Sequence, residues 1–346
     1  MSAGPVPRLL QAMAGARQGG AENFFVRLAG GLHRAGVAQR VAIRRNPVRA
    51  AALRAEGVEP VELPFGGWFD FTTRPALRRL VREWEPAIVL TWMNRATRAM
   101  PPGRFVHAAR MGGYYDLKYY RHCHHLIGNT PDIVAHIVRQ GWPAERSHYL
   151  PNFVDDRPAA AADRDALDTA ADATVLLAAG RLHTNKAFDV LLAALPRLPG
   201  TVLWLAGEGP ERDALTRQAD ALGVASRVRF LGWREDMPAL YAAADLYVCS
   251  SRHEPLGNVV LEAWARGRPV VAARSPGPEG LIEDGRTGLL VAKDDPVALA
   301  DAAARVLADP ALAARLVAEG RAEHDHHYSE AAVVGRYLDF FRRIAA

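Results

Sequence analysis

Short apolar runs alternate with amphipathic stretches along the chain. Arg8–Met13, Arg40–Ile43, Ala87–Trp92, Phe105–Ala109 and His125–Ile127 read as strands of a first half. Thr174–Ala179, Thr201–Ala206, Val228–Leu231, Leu246–Cys249 and Pro269–Ala273 read as strands of a second. Between them lie stretches with helical periodicity, such as Ala76–Glu85 and Glu211–Leu222. This rhythm predicts βα units and parallel sheets. Asp155–Ala173 is rich in Ala, Asp and Pro and has no apolar period beyond Ala, which reads as an inter-domain linker. Ser329–Ile344 predicts a closing amphipathic helix with Ser329 as its N-cap. The expected division is 1–155, a linker over 156–172, 173–326, and a terminal helix over 327–346.

Composition narrows this to an α/β protein of two domains. The length is 346 residues, and domains run to about 100–200 residues each. With 49% hydrophobic and 23% charged residues, the chain is ordinary globular material and not a disordered one. Its two cysteines, Cys123 and Cys249, cannot build a disulfide framework and suit a reducing compartment. The longest apolar runs are far short of the roughly twenty residues of a membrane span. Met1–Arg8 holds no apolar signal-peptide core. The expectation is a cytoplasmic protein.

Charge is unevenly placed. Residues 1–150 carry 21 Lys+Arg against 10 Asp+Glu, a net of +11, whereas 151–346 carry 22 against 28, a net of −6. A basic half fits either a solubilising surface or an anionic partner: nucleic acid, anionic lipid or phosphate. No nucleic-acid-binding module is recognisable, so nucleic acid is not expected. Only three of the 43 cations are Lys, so a Lys inside a motif stands out.

The densest chemistry lies in Ser250-Ser-Arg-His-Glu254-Pro-Leu-Gly257-Asn258-Val259-Val-Leu-Glu262, followed by Gly267-Arg-Pro269-Val. It follows an apolar strand, and a helix is expected to begin near Asn258. The free N–H groups and dipole at a helix start favour an anion. Side chains tilt toward that end, so Glu262 reaches back to it. A pyrophosphate on the N–H groups of Gly257, Asn258 and Val259, a sugar against Glu254 and a ribose against Glu262 describe one ligand. Upstream, Gly180-Arg181-Leu-His-Thr-Asn-Lys186 places two cations after a strand, where open α/β sheets bind ligands. In Gly207-Glu-Gly209-Pro-Glu-Arg212, Arg212 stands where a dinucleotide fingerprint needs its third glycine. Those glycines either admit a ligand to the backbone or only make a turn.

Taken in order, Arg181, Lys186, Gly207/Gly209, Glu254/Glu262 and Gly267-x-Pro269-Val resemble the retaining glycosyltransferases of family 4. Pro278-Glu279-Gly-Leu-Ile-Glu283-Asp-Gly285-Arg-Thr-Gly288, and in the first half Gly19-Gly20-Ala-Glu22, are also similar to that family. The nearest likeness is to bacterial lipopolysaccharide and cell-envelope enzymes. The resemblance implies the GT-B fold: two Rossmann-like domains with parallel sheets facing a cleft, and a C-terminal helix crossing back to the first domain. It implies transfer of a hexose-type sugar from a UDP- or GDP-sugar to a glycan or lipid-linked acceptor, with retention of configuration. Under it, Arg181 and Lys186 hold the leaving diphosphate, with Gly19 and Gly20 approaching from the other domain. Glu254 holds the sugar and Glu262 the ribose. Gly207, Gly209, Gly257, Asn258 and Val259 complete the donor site. No metal or other cofactor is then required. The alternatives are a nucleotide-binding GT-B protein without transfer, or a nucleotide-sugar epimerase. The family commonly places a His after a first-domain strand, near the reacting sugar. Here His107 falls early in its strand and Arg110 takes the later position.

Four features suggest other chemistry, and the first three are read without it. Asp163-Arg-Asp165 has the Asp-x-Asp form of a metal motif but lies in the Ala-rich linker. His122-Cys-His-His125 and His324-Asp-His-His327 lack the spacing of a zinc pair. Pro64-Phe-Gly-Gly-Trp68-Phe-Asp-Phe71, followed by Arg74, Arg78, Arg79 and Arg82, is either a loop packed on its own domain or a contact with an anionic membrane, peripheral at the inner face.

Overall fold

The computed structural model describes residues 6–17, 19–66 and 70–345. Met1–Pro5 and, within the aromatic loop, Trp68 and Phe69 lie outside the described residues. The chain forms two compact units: residues 1–153 with 330–346, and residues 154–329.

The first unit is built on seven parallel strands in the order β3-β2-β1-β4-β5-β6-β7. These are β1 (Leu9–Met13), β2 (Gln39–Arg44), β3 (Pro60–Leu63), β4 (Ile88–Trp92), β5 (Val106–Met111), β6 (His125–Gly128) and β7 (Ser147–Tyr149). Its first five helices are α1 (Gly20–Arg34), α2 (Pro47–Ala55), α3 (Thr73–Trp84), α4 (Met93–Ala99) and α5 (Pro131–Arg139). The central strands β1 and β4 are buried along their whole length, as expected for strands covered on both faces. Gln11, the one polar residue of β1, satisfies its amide by donating to Gln39 Oε1 (2.9 Å) and accepting from Trp92 Nε1 (3.1 Å).

The second unit repeats the plan with six parallel strands in the order β10-β9-β8-β11-β12-β13. In chain order it comprises β8 (Thr174–Ala179), α6 (Phe188–Ala194), β9 (Thr201–Ala206), α7 (Arg212–Ala221), β10 (Val228–Gly232), α8 (Met237–Ala243) and β11 (Leu246–Cys249). Then follow α9 (Asn258–Ala265), β12 (Val270–Ala273), α10 (Pro276–Leu281), β13 (Leu289–Val291), α11 (Pro296–Ala308) and α12 (Pro310–His327). The segment read as the inter-domain linker packs on this unit. Arg164 donates to Ala243 O and to Asp245 Oδ2, and Thr169 Oγ1 accepts from buried Trp204 Nε1 at 2.9 Å.

The last helix, α13 (Glu330–Ala345), belongs to the first unit. It buries Val333, Val334, Tyr337, Phe340 and Phe341, a helical stripe, in the core that holds Phe24, Phe25 and Leu28 of α1. Arg34 ties its start through a bidentate pair with Glu330 at 2.8 Å.

Several helices begin with the same device. Asn46-Pro47, Thr130-Pro131, Asp295-Pro296 and Asp309-Pro310 each pair a side-chain cap with Pro at the first helical position. The cap accepts an otherwise unpaired N–H, and Pro has none to leave unpaired.

Candidate functional site

In the second sheet β8 and β11 are neighbours, and the strand order runs outward from them in both directions. Ligands of open α/β sheets bind at the carboxyl end of such a switch point. The two loops that leave β8 and β11 carry the residues singled out in the sequence.

After β8 the chain passes Gly180 and Arg181 into a tight turn over Thr184–Lys186, in which the His183 ring accepts from Asn185 N at 3.2 Å. Ala187 then takes a left-handed conformation (φ 50°) before α6. After β11 the chain runs to Gly257, the left-handed N-cap of α9 (φ 71°). Lys186 Nζ donates to Glu254 Oε2, with both side chains largely buried. The loops are tied at two further points: Ser250 Oγ donates to Lys186 O (2.8 Å) and His253 N to Asn185 O (3.1 Å). The Glu254 carbonyl accepts from Gly277 N at 2.6 Å. Residues 68 positions apart are thereby fixed as one acid–base pair.

Gly207 and Gly209 support this site through backbone contact. A Cβ on Gly207 (φ 144°) would stand 1.9 Å from Gly180 O, and one on Gly209 would stand 2.3 Å from Leu182 O. Only glycine lets the β9 loop lie against the β8 loop. Asn258 and Val259 open α9. Glu262, one turn in, accepts from the hydroxyl of buried Tyr241 at 3.0 Å. Burial and that carboxylate push the Tyr241 hydroxyl far above its ordinary range. Arg181 is exposed and has no carboxylate within 4.0 Å among the described residues.

The sequence gives no sign that Arg252 and Asp189 meet. Arg252 grips both oxygens of Asp189 (2.8 and 2.6 Å) and also bonds Asp294, so it clamps the β11 loop to the start of α6. No spacing rule predicts a pairing that runs between the loops of two neighbouring strands.

In the first unit, Gly19 and Gly20 enter α1 from the loop after β1. Glu22, buried beneath the loop, accepts from Ala16 N at 2.7 Å, and a Cβ on Gly15 or Gly19 would strike its carboxylate. Arg49 donates to Ala16 O and Asn46 Nδ2 to Arg17 O (2.9 Å), so the loop is held from both sides. At Gly20 nothing lies within 4 Å of a built Cβ. A cavity of about 910 Å³ opens at the carboxyl ends of β1 to β4 in this unit, reached by Ala14, Arg44, Phe65 and Met93.

His107 is buried in β5. Its Nε2 pairs with Thr91 Oγ1 at 2.9 Å, and burial beside His122 and His124 depresses its pKa to about 3. Arg110 is also buried. Its guanidinium lies over the rings of Phe24 and Trp92 and donates to Tyr337 Oη (2.9 Å) and Asn152 Oδ1 (2.5 Å). It therefore anchors α13, an employment that its strand position did not reveal. The spacing rule that set His122-Cys-His-His125 aside does not see His107, which the sheet brings to within 4.8 Å of His122 and Cys123 at their ligand-type atoms. Asp163 Oδ1 accepts from Asp165 N within its own turn.

Residues 18–157 match the family described as Glycosyltransferase Family 4, and residues 173–309 match Glycosyl transferases group 1. The lipopolysaccharide core biosynthesis glycosyltransferase LpsD of Rhizobium meliloti is 38% identical over 94% of this chain and 96% of its own. LpsE of the same organism is 39% identical over 93% and 95%. Among solved structures, Anabaena HepE in complex with UDP superposes with a TM-score of 0.83 at 22% identity, over 97% of this chain and 100% of that one. The fold is GT-B.

Proposed function

The chain belongs to glycosyltransferase family 4, and from that premise we propose that it moves a hexose-type sugar from a UDP- or GDP-sugar to a cell-envelope glycan or lipid-linked acceptor of the lipopolysaccharide type, with retention of configuration. The observation that carries the donor half is the Lys186–Glu254 pair beside the left-handed Gly257 start of α9, all at the switch point of the second sheet.

Breaking a glycosyl–phosphate bond leaves a nucleoside diphosphate, whose developing charge needs fixed cations and N–H donors. Lys186 and the exposed Arg181 supply the cations. The first N–H groups of α9, at Asn258 and Val259, supply donors along the helix dipole. Glu254 accepts from sugar hydroxyls, and Glu262, already held by Tyr241, accepts from ribose. In the free protein Lys186 is neutralised by Glu254, and donor binding puts phosphate beside Lys186 and sugar beside Glu254. With leaving-group charge met by these groups, transfer proceeds without a metal.

No described helix is long and apolar enough to cross a membrane. We propose a peripheral contact with anionic membrane, at the inner face, through the basic first unit. Arg74, Arg78, Arg79 and Arg82 are exposed on or beside α3, next to Phe71, which is 79% exposed. Such a face favours anionic lipid.

The donor reading is tested by thermal shift with UDP and with GDP, each with and without EDTA. A ligand at 100 times its Kd adds about 2.7 kcal/mol, which is several degrees for a protein of this size. A shift with one base, unaltered by EDTA, is expected. No shift with either in a folded sample overturns the reading. Conversion of the donor sugar without any acceptor would identify an epimerase instead.

A further inference from the structure

His107, His122 and Cys123 all belong to the first unit, and none has a role in the transfer proposed above. His107 is the second residue of β5, and His122 and Cys123 lie just before β6. One ring nitrogen of each histidine and the Cys123 Sγ lie within 4.8 Å of one another.

The hydrogen bonds around the two rings decide which nitrogen carries a proton. The Thr97 hydroxyl donates to Met93 O (2.8 Å), so it accepts from the Thr91 hydroxyl (2.9 Å). With its one proton used there, Thr91 Oγ1 accepts from His107 Nε2 at 2.9 Å. His122 Nε2 also faces an acceptor, the Thr97 carbonyl, at 3.0 Å and must donate to it. A neutral imidazole holds one proton. Each neutral ring therefore keeps the lone pair of its Nδ1. Neither Nδ1 nor the Cys123 Sγ has a hydrogen-bond partner among the described residues. Imidazoles that ligate metals have this form, with the far nitrogen oriented by an oxygen.

Two imidazoles and a thiolate suit zinc, whereas magnesium and calcium take oxygen ligands. Zinc bonds of about 2.0–2.3 Å set tetrahedral ligand atoms roughly 3.5 Å apart, so the three groups need to draw together by about 1 Å. His107 and Cys123 are buried, and the exposed His122 can make that movement. His124 serves as a brace, its Nδ1 accepting from His107 N at 2.8 Å. A cavity of about 440 Å³, lined by His107, His122 and His124, gives an ion a way in and a place for a solvent ligand. Arg74 and Arg98 line it too and oppose a bare dication. The Cys123 thiolate cancels one unit of that charge, and the guanidiniums favour an anion as the solvent ligand.

We propose that His107, His122 and Cys123 form a zinc site that ties β5 to the turn before β6, with its fourth position open to the cavity. As the Zn–S bond forms, the Cys123 thiol releases its proton to solvent and no electron is transferred.

The test uses the untagged full chain under reducing conditions, stripped of metal with EDTA and then freed of the chelator. Wild type is compared with Cys123→Ala and His122→Gln, and with His326→Gln/His327→Gln as a control for the histidines of α12. Isothermal titration with Zn²⁺ should show one ion per wild-type chain. Cys123→Ala and His122→Gln should each weaken binding at least about 100-fold, beyond the loss of an outer-shell partner. The control should bind as wild type does. Co²⁺ in wild type should give the visible bands of a four-coordinate site and a near-ultraviolet thiolate-to-cobalt band, a readout independent of any variant's folding. Zn²⁺ should raise the wild-type melting temperature, and Mg²⁺ at the same concentration should not. No zinc bound, a cobalt spectrum without the thiolate band, or equal affinity in wild type and Cys123→Ala overturns the proposal. Binding lost only in the control places the ion on α12 and overturns it as well. Zinc bound as expected by a protein that shows no nucleotide shift upholds this site and sinks the donor reading alone.

Discussion

Lys186 is one of three lysines in a chain that otherwise uses Arg as its cation. A compact ammonium fits the narrow space beside Gly180, whose built Cβ would lie 2.8 Å from the Lys186 stem. Lys186→Ala and Glu254→Ala should each lower kcat/KM by about 10²–10³, with far-UV circular dichroism unchanged. Wild-type-like turnover in either would refute their assignment. Gly207 has a structural duty at the same place. Gly207→Ala forces its Cβ into Gly180 O, so the loops must part. Its nucleotide-induced thermal shift should shrink markedly, while glycines open to solvent, such as Gly200, tolerate alanine only with the strain of their positive φ.

At the scale of elements, α13 is held by one buried charge. Arg110 reaches Tyr337 and Asn152 from β5 with two aromatic rings beneath it. Hydrogen bonds from a charged donor contribute about 1.5–3 kcal/mol each, and the acceptors left behind carry a further desolvation cost. Arg110→Met should lower the melting temperature by several degrees and expose the start of the 330–346 segment to limited proteolysis. Tyr337→Phe, which removes one hydroxyl, should cost less than half as much. An Arg110→Met protein with unchanged melting temperature and proteolysis would mean that the apolar stripe of α13 holds the helix alone.

Over the whole molecule, pH and charge act through the first unit. Burial depresses His107 to about 3 and His148 to about 4. His107 faces His122 and His124, and His148 faces His125 and Arg343. Their ordinary pKa is near 6.5, so below that pH the unfolded chain binds protons that the native one refuses. Stability contributed by the neutral rings is complete above about pH 6.5 and is lost as pH falls toward 4. The urea midpoint should therefore drop between pH 7 and 4.5, and by less in His107→Asn. A flat profile would show that these rings titrate normally. Sedimentation with anionic vesicles at low salt, reversed by salt, is the corresponding expectation for the basic face. No sedimentation at low salt would dispose of it.

The strands Thr174–Ala179, Thr201–Ala206 and Leu246–Cys249 stand in the structure at the limits their apolar runs suggested, because a strand buried on both faces must be apolar throughout. The three short edge or near-edge strands β3, β7 and β13 escaped notice, being three or four residues long and partly polar or preceded by turns. The order of the motifs, a cation-bearing loop and then Glu-x7-Glu at a helix start, was also legible, since each sits within one βα turn. What a βα turn cannot show is which turns meet. The pairing of Lys186 with Glu254, the clamp of Arg252 on Asp189 and the anchoring of α13 by Arg110 all join segments remote in sequence. Strand order decides those meetings, and strand order is set by the packing of the whole sheet.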